Sequence, residues 1–246
     1  MIDFISRILR IIFSIYCAIF FLISFPIVIP LYFLVFNLFP KAKSPHIAHA
    51  ISRGWARYLL FVFMIRLKVE NKNYINTNQT YIFVANHLSM LDIPIYALAC
   101  TNTFRFLSKA ELGKIPLLGY VIRKLYITVN RKDKHDRSKS IEKMLTSLKE
   151  GISVFLAPEG TRNTSSEKLL PFKEGAFRLA ITAQLPIAVL TIRDSQKLLA
   201  PARPFEMCPG KIVCRWSQPI STIGMSEKEL PMLIELVRNA MMKDLD

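Results

Sequence analysis

The sequence predicts an α/β fold: a mostly parallel sheet flanked by helices, preceded by an N-terminal apolar, membrane-binding helical segment. Three observations lead there. From residue 80 to 192, short β-branched and aromatic runs alternate with helix-like stretches, the pattern of parallel strands joined by helical crossovers. Residues 11–40 carry no charged side chain and are bracketed by Arg7, Arg10, Lys41 and Lys43. The 246-residue chain is 52% apolar with a formal net charge of +15, and its mean hydropathy of +0.30 is high for a soluble domain. So basic a chain suits negatively charged partners.

The uncharged run is longer than the ~20 residues a bilayer-crossing helix needs. It is also too long for a cleaved leader and has no small-residue cleavage site at its end. Pro26 and Pro30 interrupt it, and bases flank both ends about equally, so charge asymmetry assigns no orientation. These features favour a bent, re-entrant or interfacial hairpin that associates with one side of the membrane without crossing it. A second helical pattern from Ile47 to Met64 carries Trp55, Tyr58, Arg53 and Arg57 and reads either as an interfacial helix or as a core helix. Residues 1–66 are thus expected to form the membrane-associating helices and residues 67–246 the α/β domain.

Strands are expected at Tyr81–Ala85, Phe104–Leu107, Ile127–Val129, Ile152–Leu156, Ile187–Ile192 and Lys211–Arg215. Helices are expected over Ile93–Cys100, Ser138–Glu150, where Ile141, Met144, Leu145 and Leu148 keep helical spacing, and about Glu174–Gln184. In Lys109–Gly119, Pro116 and Gly119 argue against one continuous helix. A last helix begins near Ser226 or Glu229, a capping-box pair, with Pro231 arguing for a later start.

Charge is concentrated in two places. Residues 1–69 hold eight Lys/Arg against Asp3 alone, and Arg105–Lys139 hold ten against three acids. Neither cluster is interleaved with exposed aromatics or followed by a recognition helix, so nucleic acid is not expected as a partner. Cys17, Cys100, Cys208 and Cys214 lack metal-ligand spacing, and neither a metal nor a disulfide framework is expected.

The chemistry is expected around NHLSMLD, residues 86–92. His87 leaves one strand and Asp92 opens the next helix. On a single helix, residues five apart point about 140° away from each other; across a strand-to-helix turn, the carboxylate can reach one imidazole nitrogen. A carboxylate that holds a neutral imidazole in one tautomer leaves the other nitrogen as a general base. The same pair could equally be a capping or surface hydrogen bond. Ser89 reads as a helix N-cap or, less in keeping with its surroundings, a nucleophile.

A second candidate is the loop Glu159–Arg162. Gly160 permits a tight turn, Thr161 adds a hydroxyl, and Arg162 offers a planar fork for phosphate. Glu159 is read as accepting from a substrate hydroxyl or holding the arginine. Lys109 and Arg131 end or follow two other strands, and strand carboxyl ends are where open sheets bind ligands. Lys173, Gly175 and Phe177 fit either loop support or core packing.

Together these blocks resemble a known family. NHLSMLD matches its NHxxxxD motif, KAELGKIPLLG its second block, PEGTR its third and LPIAVL its fourth, in the family's order over roughly residues 80–195. The chain looks like the bacterial 1-acylglycerol-3-phosphate acyltransferases, the PlsC-like glycerolipid acyltransferases. The resemblance implies the glycerolipid acyltransferase fold and transfer of an acyl group from acyl-CoA or acyl carrier protein to lysophosphatidic acid, giving phosphatidic acid. It implies His87 as base, Asp92 as its orienting partner and Lys109, Arg131, Gly160, Thr161 and Arg162 around the phosphate. Glu159 would contact glycerol. No cofactor or metal is implied beyond the acyl co-substrate, and the expected site of action is the cytoplasmic face of the cell membrane. Ala157, Ala188 and Asn130 depart from the usual pattern and bear on acceptor selectivity. Alternatives are a same-fold enzyme for another lysolipid, or a non-catalytic basic membrane adaptor.

Overall fold

The apolar N-terminus folds as one continuous helix, α1 (Ile2–Leu38), about 55 Å long at 1.5 Å per residue. The computed structural model describes residues 2–130 and 132–245. The hairpin expected here is not formed, because Pro26 and Pro30 lie inside the helix. Each proline removes one amide donor, whereas a turn in an apolar segment would leave several backbone groups without partners.

Helix α2 (Ser44–Val62) follows and turns inward. Ala48, His49, Ala56, Leu59, Leu60 and Val62 are buried, so one face of this helix joins the core, while Arg57, Tyr58 and Phe61 stay exposed. Trp55 faces α1, with its ring 5.4 Å from Phe21 and its Nε1–H donated to Ser24 at 3.0 Å. His49 donates Nε2–H to the Phe104 carbonyl at 2.5 Å and is 1% exposed.

Seven strands follow: β1 (Ile65–Glu70), β2 (Ile82–Ala85), β3 (Phe104–Lys109), β4 (Ile127–Val129), β5 (Ser153–Leu156), β6 (Ile187–Arg193) and β7 (Gly210–Trp216). Their order in the sheet is β1-β7-β6-β2-β5-β3-β4. The five from β6 to β4 are parallel. β7 pairs antiparallel with β6, and β1 runs with β7. The central β2 is buried on both faces, which is why its sequence is continuously apolar rather than alternating.

Successive side chains of β2 serve opposite cores. Phe83 and Ala85 pack with Phe104, Phe155, Trp216, Leu59 and Leu60 on the side of α1, α2 and α3 (Asp92–Ala99). Ile82 and Val84 pack with Val154, Val189, Phe177, Leu233 and Val237 on the other face. That face is covered by α5 (Lys134–Lys149), α6 (Gly175–Ala183) and α8 (Leu230–Leu245). The last helix satisfies both sequence cues: Ser226 and Glu229 form the capping box, and α8 begins just after it.

The Lys109–Gly119 segment is broken as Pro116 and Gly119 suggested, into a 3₁₀ turn (Ala110–Lys114) and α4 (Leu118–Leu125). A Cβ at Gly119 would lie 2.3 Å from the Gly113 carbonyl oxygen, so only glycine allows this close backbone approach.

Candidate active site

The parallel strands place the exits of β2, β5, β3, β4 and β6 along one sheet edge. At the exit of β2, Asn86 takes over where the ladder ends. Its Nδ2–H donates to the Ile192 carbonyl and its Oδ1 accepts from the Ile192 N–H, both at 2.8 Å. Its carbonyl accepts the Tyr96 hydroxyl at 2.7 Å. The fully buried Asn86 thereby fixes the direction in which the next residue leaves the sheet. Sequence reasoning passed over it, although its place just before His87 was the available signal.

His87 and Asp92 meet. Nδ1 of His87 lies 2.8 Å from Oδ2 of Asp92, and the same oxygen accepts the N–H groups of Leu88 at 2.7 Å and Ser89 at 2.8 Å. The capping and orienting readings are therefore both met by one oxygen. Asp92 is 0% exposed, and its Oδ1 has no hydrogen-bond partner among the described residues. A buried carboxylate accepts, so Nδ1–H is the donor of this bond. The His87 side chain is 21% exposed and thus open on one side. Ser89 is neither nucleophile nor exposed cap: its hydroxyl donates to the Leu199 carbonyl at 2.7 Å and accepts from the Leu91 N–H at 3.2 Å.

The β5 exit locks onto the β2 exit. The Asn163 N–H donates to the His87 carbonyl at 2.8 Å, and Glu159 Oε1 accepts the His87 N–H at 3.1 Å. Glu159 Oε2 accepts the Leu170 N–H at 2.9 Å. With both oxygens accepting backbone amides and only 2% of the residue exposed, Glu159 ties the loop after β5 to the His87 turn. Burial pushes its carboxyl above the usual range; the Leu170 and His87 amides offset this in part.

Gly160 has φ +73°, and the stem of Lys173 crosses it, Cε only 3.0 Å from where a Cβ would stand. This resolves the open reading of Lys173: it lies over the loop. Thr161 is exposed and Arg162 half-buried, and Arg162 has no hydrogen-bond partner among the described residues. Lys109 is exposed at the last position of β3, two strands and hence about 10 Å from the line of β2. Arg131 lies outside the described residues. Lys109 thus stands at the exit of β3, and Arg162 and Lys173 belong to the loop after β5, cations whose chemistry suits a phosphate.

A model of the family described as Acyltransferase matches residues 66–193. The mouse (Mus musculus) 1-acyl-sn-glycerol-3-phosphate acyltransferase alpha is 31% identical over 74% of this chain and 64% of its own length. The chloroplastic 1-acyl-sn-glycerol-3-phosphate acyltransferase BAT2 of Brassica napus is 28% identical over 61% of this chain and 44% of its own. The chain thus spans less than two thirds of either relative. The crystal structure of the 1-acyl-sn-glycerophosphate (LPA) acyltransferase PlsC from Thermotoga maritima superposes with a TM-score of 0.78, covering 96% of this chain and 97% of that one at 23% identity. This likeness shows a shared fold. With more than half of its residues, and all four sequence blocks, inside the family match, the chain belongs to the acyltransferase family.

Proposed function

We propose that this acyltransferase moves a fatty acyl group from a CoA or acyl-carrier-protein thioester onto the free hydroxyl of 1-acylglycerol-3-phosphate, yielding phosphatidic acid. The observation that carries the reading is the buried Asp92 carboxylate on Nδ1 of a half-open His87, with cations at the exits of β3 and β5. Nε2 takes the hydroxyl proton as the oxygen attacks the thioester carbonyl carbon. The C–S bond then breaks, and the imidazolium returns the proton to the departing thiolate. Asp92 stabilises the transient imidazolium. Lys109, Arg131, Arg162 and Lys173 hold the acceptor phosphate, with Gly160 and Thr161 shaping the loop. The relatives named for this acceptor support the choice.

The site works against a lipid surface. Phe4–Leu38 is long and apolar enough to cross a membrane, with mean hydropathy 2.6. Yet both ends of α1 rest on the same domain. Arg7 Nε lies 2.7 Å from Glu206 Oε1, the Met207 N–H donates to Ser14 at 2.7 Å, and Asn37 Nδ2–H donates to the Tyr120 hydroxyl at 3.0 Å. Its exposed row Ile8, Ile12, Ile15, Ile19 and Leu22 keeps helical spacing. These contacts support a helix lying in one leaflet rather than a perpendicular span; the cytoplasmic face is the side on which the thioester donor would be met.

The test is a matrix of thioester donors against lysolipid acceptors, with His87→Ala as control. Transfer to lysophosphatidate that vanishes in His87→Ala, with vesicle binding retained, is expected. Near-parental transfer by His87→Ala would overturn the mechanism; equal use of phosphate-free acceptors would overturn the substrate.

A further inference from the structure

The acceptor reading leaves the donor without a seat. In the sheet order β6-β2-β5-β3-β4, β2 and its His87 exit lie between β5 and β6. Between the loop after β5 and the segment after β6, the edge opens into a cavity of about 280 Å³. It comes up against the turn that carries His87: Leu88, next to His87, lines it, as does Asn163, whose N–H holds the His87 carbonyl. Leu245 of α8 also lines it, which puts its mouth on the sheet face opposite α1 to α3.

The lining matches one kind of chemistry. Asn163, Ser165 and Gln196 offer amides and hydroxyls, and the Gln196 Oε1 is buried with no hydrogen-bond partner among the described residues. Arg193, the last residue of β6, is half-buried there and has no partner among the described residues, whereas Lys197 is held by Asp194 at 2.7 Å. Glu167 and Asp194 also line the space, so it is not a bath for polyanions at large. An elongated ligand with amide groups and one phosphate would satisfy the orphaned carboxamide and the lone guanidinium together.

We propose that this cavity takes the phosphopantetheinyl arm of the acyl donor, with Gln196, Asn163 and Ser165 on its amides and Arg193 on its phosphate. The assignment rests on the thioester-transfer reading above. That arm is common to CoA and to holo-acyl carrier protein, so either donor would use it. The donor then reaches the His87 turn through the gap between the loop after β5 and the segment after β6.

The experiment measures binding of CoA, holo-acyl carrier protein and phosphate-free pantetheine by titration calorimetry, on the full chain and its Arg193→Ala and Arg193→Lys variants. Arg193→Ala is expected to weaken CoA and the holo-carrier alike by about tenfold, the scale of one charge-assisted hydrogen bond. Arg193→Lys should recover part of the loss, and pantetheine should bind unchanged. In assays, the KM for acyl-CoA should rise while that for lysophosphatidate stays put. Unchanged binding in Arg193→Ala, loss confined to CoA, or no binding of either donor by the parent would overturn the assignment. Absence of transfer with every acyl thioester would instead remove the proposed function, and the binding comparison would still decide the cavity.

Discussion

Replacing Asp92 with Asn separates what this residue does for the fold from what it does for chemistry. The substitution is nearly isosteric, and the new carbonyl oxygen can still accept the Leu88 and Ser89 N–H groups that Oδ2 accepts at 2.7 and 2.8 Å. The amide nitrogen must then occupy the Oδ1 position, buried and without a partner among the described residues. An unsatisfied buried donor costs about 1–3 kcal/mol, and for a chain of this size each kcal/mol lowers Tm by roughly 2–4 °C. A Tm drop of about 2–12 °C is therefore expected. The chemical effect is larger. The neutral amide removes the charge 2.8 Å from Nδ1 and with it the stabilisation of the imidazolium. General-base catalysis is worth about 10²–10⁴-fold, so kcat should fall by ~10²–10³, or about 3–4 kcal/mol at 1.36 kcal/mol per decade, with the KM for lysophosphatidate nearly constant. Thiol release from acyl-CoA and thermal melting read the two effects separately. A variant with the lowered Tm but a kcat within threefold of the parent would show that Asp92 is only a structural cap.

Other outcomes follow from the same geometry. Arg162→Ala should raise the KM for lysophosphatidate by roughly 10–100-fold through loss of charge-assisted bonds, and leave that for a phosphate-free acceptor unchanged. Steady-state kinetics on both acceptors check this. Glu159→Gln turns one acceptor of two backbone amides into a donor; it should cost about 1–3 kcal/mol in denaturant unfolding and lower kcat, while acceptor KM moves less than about twofold, unlike a residue that contacts glycerol. His49, held neutral by burial with its pKa pushed down to about 3, adds stability that is present above its ordinary pKa of 6.5 and lost as pH falls from there toward 3. Melting the parent and His49→Gln from pH 7 to 4 should show a shallower slope in the variant, by up to ~1.4 kcal/mol per pH unit; parallel slopes would refute it.

Strand identities and the His87–Asp92 pairing were legible because both depend on short-range pattern. Period-two and continuous apolar runs report how many faces of a strand are buried, and an acid five residues after a strand-end histidine can reach it only across a turn. What depends on long-range neighbours was not legible. Only with β5 laid beside β2 does the Glu159 carboxylate meet the His87 amide, and only with α1 beside α2 does Trp55 donate to Ser24. Pro26 and Pro30 look like breaks until the surroundings offer the backbone no better partner than the helix itself.

Sequence alone settled the α/β class, the apolar N-terminal segment and the placing of His87 within reach of Asp92, since each is written in neighbouring residues or in a period of two or 3.6. Only the tertiary structure decided which strand exits stand side by side, and therefore that Asn86 bonds Ile192 beneath His87, that Glu159 accepts the His87 and Leu170 amides, and that Arg193 lines a cavity with Leu88 and Asn163. Strand order depends on how whole faces are buried against one another, a collective quantity that no single stretch of residues carries.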